Sequence, residues 1–401
     1  MFNSNFFKNN RQKLRHLSAE AMPIVISSNG LLQRNSDSPF PFRQDSSFWY
    51  FTGVVEPDLV LVISENEDYI ITASRSEIRS TFDGSVDFGS IKKISSVDNV
   101  YSEDAGWAKL KNSLGSKIGI IKPRDLYDVN HGIYLNPARS YLYEKLTKNA
   151  DLEVIDVSKE IIGLRMIKSV EEITAITEAI EITSQAFEVI RNRISNCKNE
   201  SDVDSIIRME FAKNKVVNAY EPIVGTGSNA CILHYLDNNC DIQEGQLVLI
   251  DAGAEFENYA SDITRTFSRS KPSKRQTEVF NAVKEVQDFA LEHARVGVTI
   301  KEYEKKIEKF MGEKLIELRL IKNNTPEHVR KYYPHSTSHH LGLDVHDAAD
   351  YSVPLSENMV ITVEPGIYIM EENIGIRLED NVRITKDSKP EVLSKNLPSE
   401  L

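Results

Sequence analysis

The chain has 401 residues, of which 40% are hydrophobic and 27% charged, and a formal net charge of −12. That length exceeds a comfortable single core, so two domains are expected from an ordinary globular composition. The acidic balance, with no dense Lys/Arg stripe against it, argues against nucleic acid as a partner. No apolar run reaches the roughly 18 residues a membrane span needs, which argues against a membrane.

Lys8, Arg11, Lys13 and Arg15 precede the first acid at Glu20, a bias shared with transit peptides. Phe6, Phe7, Leu14 and Leu17 give the same stretch one apolar face, and a surface helix is the reading adopted. Pro23–Ser27, Leu59–Ile63, Tyr69–Thr72 and Lys117–Ile121 are apolar runs bounded by polar turns, as buried strands are. Helical patterns at Ala105–Leu114 and Ala138–Leu146 fall between them. This is an α/β layout without a Gly-rich phosphate loop.

Between Arg34 and Gly53, prolines and serines predict a loop, and Phe48-Trp-Tyr-Phe51 predicts a partly buried strand after it. The alternative is an edge that reaches another domain or subunit through Asp37 and Arg43; core packing is the reading adopted for each residue taken singly. A last strand at Val154–Val157 places the domain boundary near residue 160, giving an N-terminal domain of 1–160 and a second domain of 161–401. Ser169 with Glu172 forms a capping-box signature at the head of a long helix. Helices are expected at Glu200–Asn214, Lys274–Ala294 and Lys301–Leu318, and strands at Gln246–Ile250, Asn358–Val363 and Ile374–Ile384. Cys197, Cys231 and Cys240 are too few and too scattered for a disulfide framework, so a reducing, cytoplasmic compartment is expected.

The chemistry concentrates in the second domain. An apolar strand ends in Asp251, and Asp262 follows a glycine turn. His335-Ser-Thr-Ser-His-His-Leu-Gly-Leu-Asp-Val-His346, Glu364-Pro-Gly, and Glu379 with Asp380 inside an apolar strand complete the candidates. Singly, each has a bland reading: a turn or cap for an Asp, a core residue for a His, a salt bridge with Arg377 for Glu379. Together, two Asp, two Glu and one imidazole suit Mn²⁺, Co²⁺ or Zn²⁺. Four carboxylates balance two divalent cations better than one. Two bridged ions can hold a water as hydroxide and polarise a carbonyl, which is amide-hydrolysis machinery.

These motifs resemble the pita-bread metallopeptidases: methionine aminopeptidase, prolidase and aminopeptidase P, with creatinase a relative without metal. Arg34-Asn-Ser-Asp-Ser38, Phe48–Gly53, Asn229–Tyr235, Ser261–Arg265, Ser338–His346, Val363–Tyr368 and Gly375–Asp380 carry the resemblance, which is strongest to bacterial aminopeptidase P (Xaa-Pro aminopeptidase) and spans nearly the whole chain. It implies an α+β pita-bread catalytic domain after the N-terminal α/β domain. It also implies removal of the N-terminal residue from peptides with proline second, by a hydroxide bridged by two divalent metal ions, Mn²⁺ first with Co²⁺ or Zn²⁺ as alternatives. The resemblance makes Asp251 a ligand of one ion, Asp262 and Glu379 bridges, and His339 and Glu364 ligands of the second. Glu364 would also shuttle a proton, His346 would donate to the oxyanion, and His234 would hold substrate. Arg377 would orient Glu379 or Asp262, and His335 and Tyr368 would line the pocket. His340 stands where relatives carry an aromatic or apolar residue, and the spacing to His346 assigns the ligand role to His339. A homo-oligomer, dimer or tetramer, is implied as well. Prolidase activity is the alternative within the family, and a non-catalytic peptide-binding pseudoenzyme the alternative outside it.

Overall fold

Asn3 accepts from the backbone N–H groups of Asn5 and Phe6 and so caps the first helix, Ser4–Leu17. The computed structural model to which it belongs describes residues 1–148, 152–387 and 389–401. Phe6, Phe7 and Leu14 of this helix are buried as its apolar face requires, while Leu17 is exposed. Arg11, expected on the surface, is fully buried. Its guanidinium donates to Asp68 at 2.9 Å and to the carbonyls of Phe51, Ser95 and Ser96, so the buried charge is paired and its donors are used.

The chain forms two units, Met1–Leu164 and Arg165–Leu401. In the first, six strands run in the order 153–156, 117–120, 24–27, 59–63, 68–72 and 99–101. Only 59–63 is antiparallel to its neighbours. Val25, Val62, Ile71, Leu110, Ile118 and Ile120 share a core against this sheet. The aromatic run expected as a strand is instead a helix, Ser46–Thr52. Asp45 caps it by accepting from the Phe48 N–H, and Gly53, with φ of 67°, ends it in the left-handed conformation. Aromatic residues favour strands only where a sheet offers a surface to pack on. Here the two caps and burial on Phe6 and Phe7 decide the conformation.

The second unit opens with the expected capping box: Ser169 and Glu172 satisfy each other's backbone N–H groups at the start of helix Val170–Arg193. Helices Glu200–Lys213, Lys274–His293 and Ile300–Glu317 follow, each with its own capping box. Among them lie short antiparallel sheets. In one, Leu247–Ala252 is the middle strand between Ile223–Thr226 and Ile263–Ser268. In others, Gly366–Ile369 pairs with Ile374–Arg377, and Val360–Val363 pairs with Asp380–Arg383. The apolar run 374–384, expected as one strand, is therefore two strands in two different sheets. The break falls at Leu378 and Glu379, which places Glu379 at a strand junction rather than within a strand.

Candidate active site

Asp251 and Asp262 are brought together by local geometry. After Leu247–Ala252 the chain turns at Glu257 and Asn258, both with positive φ, as a tight two-residue hairpin demands. A Cβ on Gly253 would lie 1.8 Å from the Ser261 carbonyl oxygen, so only glycine permits the two acid-bearing segments to approach this closely. Asp251 pairs in register with Thr264 on the next strand. The Tyr220 hydroxyl lies 2.5 Å from both Asp251 Oδ1 and Asp262 Oδ1, joining the two acids from the side.

Glu364 and Glu379 both sit where the backbone passes from one sheet to another, Glu364 between 360–363 and 366–369, Glu379 between 374–377 and 380–383. The His339 backbone is locked against the first of these strands, with Thr362 N–H donating to its carbonyl at 2.9 Å. His339 Nε2 lies 3.3 Å from Asp262 Oδ2 and 3.4 Å from Glu364 Oε1. Its Nδ1 donates to the His340 carbonyl at 3.1 Å, so Nε2 is the atom turned to the acids.

Arg377 was expected to orient Glu379 or Asp262. Its guanidinium instead contacts Asp251 directly and reaches Glu379 only through Thr264: Nε donates to the Thr264 hydroxyl at 3.0 Å, which donates to Glu379 Oε2 at 2.7 Å. A second arm donates to the Tyr368 hydroxyl at 2.9 Å, which donates in turn to His335 Nε2 at 2.8 Å. Burial and Arg377 push His335 down to about 3, so this ring is neutral and able to accept.

Tyr220, Asp251, Asp262, His335, His339, Glu364, Arg377 and Glu379 line a cavity of about 790 Å³ that also exposes His234 and His346; Tyr368, expected on its wall, instead packs in the core behind His335. The His346 ring stands 4.1 Å from that of His339, centroid to centroid. The segment bearing His234 is organised by Glu200, a buried carboxylate held by neutral donors. It accepts from Thr226 N–H (2.9 Å), Asn229 Nδ2 (3.1 Å), the Tyr235 hydroxyl (2.9 Å) and Cys240 N–H (3.0 Å). Tyr220 and Glu200 were both missed from sequence. The only signal for either was an acid or tyrosine next to an expected element, and such residues are common.

The donor set fits a divalent cation. Ligating atoms of Asp262, His339 and Glu379 all lie within 4.8 Å of one another. Glu379 Oε1 is buried without a hydrogen-bond partner, which is costly unless a cation reaches it. Burial, reinforced by Asp262, Glu364 and Asp251, raises Glu379 well above the ordinary carboxylate range, and burial pushes Glu364 up to about 8. Burial alone would lower His339, yet Asp262 and Glu364 outweigh it and raise the ring to about 9. Oxygen donors with one imidazole are the chemistry of Mn²⁺, Co²⁺ and Zn²⁺ sites.

Comparison with known proteins agrees with this geometry. Residues 174–386 match metallopeptidase family M24, and residues 7–121 match the aminopeptidase P N-terminal domain. Xaa-Pro aminopeptidase of Escherichia coli K12 is 31% identical, over 95% of this chain and 92% of that protein. Its counterpart in Haemophilus influenzae is 32% identical, over 94% of this chain and 91% of the relative. A zinc-substituted E. coli aminopeptidase P in complex with product superposes with a TM-score of 0.84 at 31% identity, covering 100% of this chain and 96% of that one. The same enzyme with the inhibitor Pro-Leu gives 0.85 at 30% identity, again covering 100% and 96%. The chain belongs to metallopeptidase family M24. Within that family it falls in the aminopeptidase P group, with an N-terminal aminopeptidase P domain ahead of the pita-bread domain.

Proposed function

We propose that this protein is a metal-dependent aminopeptidase that removes the N-terminal residue from peptides whose second residue is proline. The observation that carries the chemistry is the Asp262, His339 and Glu379 cluster, with an orphaned Glu379 oxygen, on a cavity large enough for a peptide end. The Xaa-Pro aminopeptidase relatives carry the substrate class, and with them prolidase activity is the less favoured reading.

Asp251, Asp262 and Glu379 would hold one ion, and Asp262, His339, Glu364 and Glu379 a second. When bound, the pair supplies Lewis acidity and an activated water at neutral pH. The charge balance of four carboxylates supports two ions. Mn²⁺ is the first choice for this donor set, with Co²⁺ or Zn²⁺ as substitutes. His346, exposed on the cavity wall, donates a hydrogen bond to the oxyanion as the carbonyl carbon becomes tetrahedral. His234 holds the substrate backbone near the scissile bond. Glu364 carries a proton to the departing proline nitrogen. Arg377 keeps Asp251 in place and with His335 forms one wall of the pocket, the two held together from behind by the Tyr368 hydroxyl.

The N-terminal unit, in this reading, serves substrate access and assembly into a dimer or tetramer. Its exposed Phe82, Val129 and Tyr134 are apolar surface that such assembly would cover. Three free cysteines and no helix long and apolar enough to cross a membrane, among the described residues, support a cytoplasmic enzyme.

A panel of Gly-Pro, Ala-Pro and Arg-Pro-Pro with Mn²⁺ tests the substrate assignment. Release of arginine from Arg-Pro-Pro is the expected result. Turnover confined to the two dipeptides would instead identify a prolidase.

A further inference from the structure

The segment Arg165-Met-Ile-Lys168, which leads into the first helix of the second unit, takes no part in the site as described above. Its two cations are nonetheless buried, and both point at one carboxylate. Arg165 donates to Asp347 Oδ1 at 2.5 Å and to Asp344 Oδ2 at 2.7 Å, while Lys168 Nζ donates to Asp347 Oδ2 at 2.8 Å. Arg165, Lys168 and Asp347 side chains are nearly inaccessible; Asp344 is half exposed. Two cations face two anions, so the cluster is neutral as a whole.

Asp347 is the residue after His346, and the intervening loop is wrapped around its carboxylate. Asp344 N–H turns back to Asp347 Oδ1 at 3.3 Å, and Asp347 N–H donates to the His340 carbonyl at 2.8 Å. A Cβ on Gly342 would lie 2.2 Å from Asp347 Oδ2, so glycine leaves the room that the carboxylate occupies. Burial would raise the Asp347 pKa, yet Lys168 and Arg165 outweigh it and hold the group below the ordinary range. The carboxylate therefore stays charged and bound to both cations. A buried ion cluster of this kind is weak as a source of stability and well suited to fixing one conformation.

We infer that Lys168 and Arg165 are positioning residues for the reaction: by clamping Asp347 they fix the 341–347 loop and so set His346 against the scissile carbonyl. The inference rests on the role proposed above for His346. It is supported by the arrangement of the loop, which has one end at the ligand His339 and the other at the clamp, with His346 beside the clamped residue.

Lys168→Met is expected to lower kcat roughly 10- to 100-fold, the range for supporting residues around a metal site, while KM and bound metal stay at wild-type values. Introduced into His346→Ala it should cause no further loss, because the group it positions is gone. Lys168→Arg, which restores a cation, should recover most of kcat. Lys168→Met/Asp347→Asn leaves Arg165 facing Asp344 and strands no buried carboxylate; it serves if the single variant does not fold, and is expected to show the same loss. Wild-type kcat in either clamp variant, or losses that multiply with that of His346→Ala, would overturn the clamp. Full activity in His346→Ala alone would overturn the reading of His346 instead, so the two failures are distinguishable.

Discussion

His339→Ala should lose bound metal and lower activity by roughly 10³-fold, whereas His340→Ala should retain most of both. The two imidazoles are neighbours in sequence but opposite in environment. His339 Nε2 faces Asp262 and Glu364 at 3.3 and 3.4 Å. Loss of a ligand forfeits several kcal/mol of the charge stabilisation a metal supplies, and about 1.4 kcal/mol corresponds to each factor of ten. His340 is 1% exposed, packs edge-on to Tyr351 at 5.6 Å and has an Nδ1 with no hydrogen-bond partner. Burial and Lys168 push it down to about 4, so it is a neutral core residue. Its removal leaves a cavity costing about 3 kcal/mol of stability, by analogy with large aromatic deletions. Metal analysis of the two purified variants checks the pair, and equal metal loss in both would contradict the assignment.

His346→Ala should lower kcat by about 10²- to 10³-fold, near 3–4 kcal/mol, with KM and metal content little changed. The magnitude is that of removing one preorganised donor to a developing oxyanion. The side chain is exposed in the cavity and is not one of the five proposed ligands, so its loss should leave the fold and the ions in place. Steady-state kinetics on Arg-Pro-Pro read the effect directly. A rise in KM at constant kcat would show that His346 binds substrate and does not act in the transition state.

Much of the site could be read from residue type and order. Asp251, Asp262, His339, Glu364 and Glu379 all meet at one cavity; each acid is attached to a short strand or to the junction between two, and His339 lies in a loop hydrogen-bonded to the Val360–Val363 strand. Local rules that act within a few residues also held. The Ser169 capping box is an example; the glycine turn read between Asp251 and Asp262 is not, because the chain turns at Glu257 and Asn258 while Gly253 serves the close approach to Ser261. What sequence patterns missed depends on distant partners. Phe48–Phe51 has strand-like composition, but packing of its rings on Phe6 and Phe7 of the first helix, together with caps at Asp45 and Gly53, makes it a helix. The apolar run from Ile374 continues past Glu379, but its two halves pair with strands that begin at Gly366 and Val360, so it breaks at the acid. Arg377 meets Asp251 because the pairing of their strands with neighbours puts it there, and Tyr220 reaches the same acid and Asp262 from the bend between strands 217–218 and 223–226. Glu200 and Asp347 carry no distinguishing signal in the sequence; only the fold brings donors to the first and two cations to the second. No periodicity encodes such pairings.

The buried acids are proposed to hold two divalent ions that drive hydrolysis. The most direct measurement is metal content of the purified chain after reconstitution with Mn²⁺, with activity on Arg-Pro-Pro followed through chelation and re-addition. Two ions per chain, activity lost on chelation and restored by Mn²⁺, is the result predicted. A chain that binds no divalent ion, or that cleaves the peptide equally well after complete chelation, would contradict it.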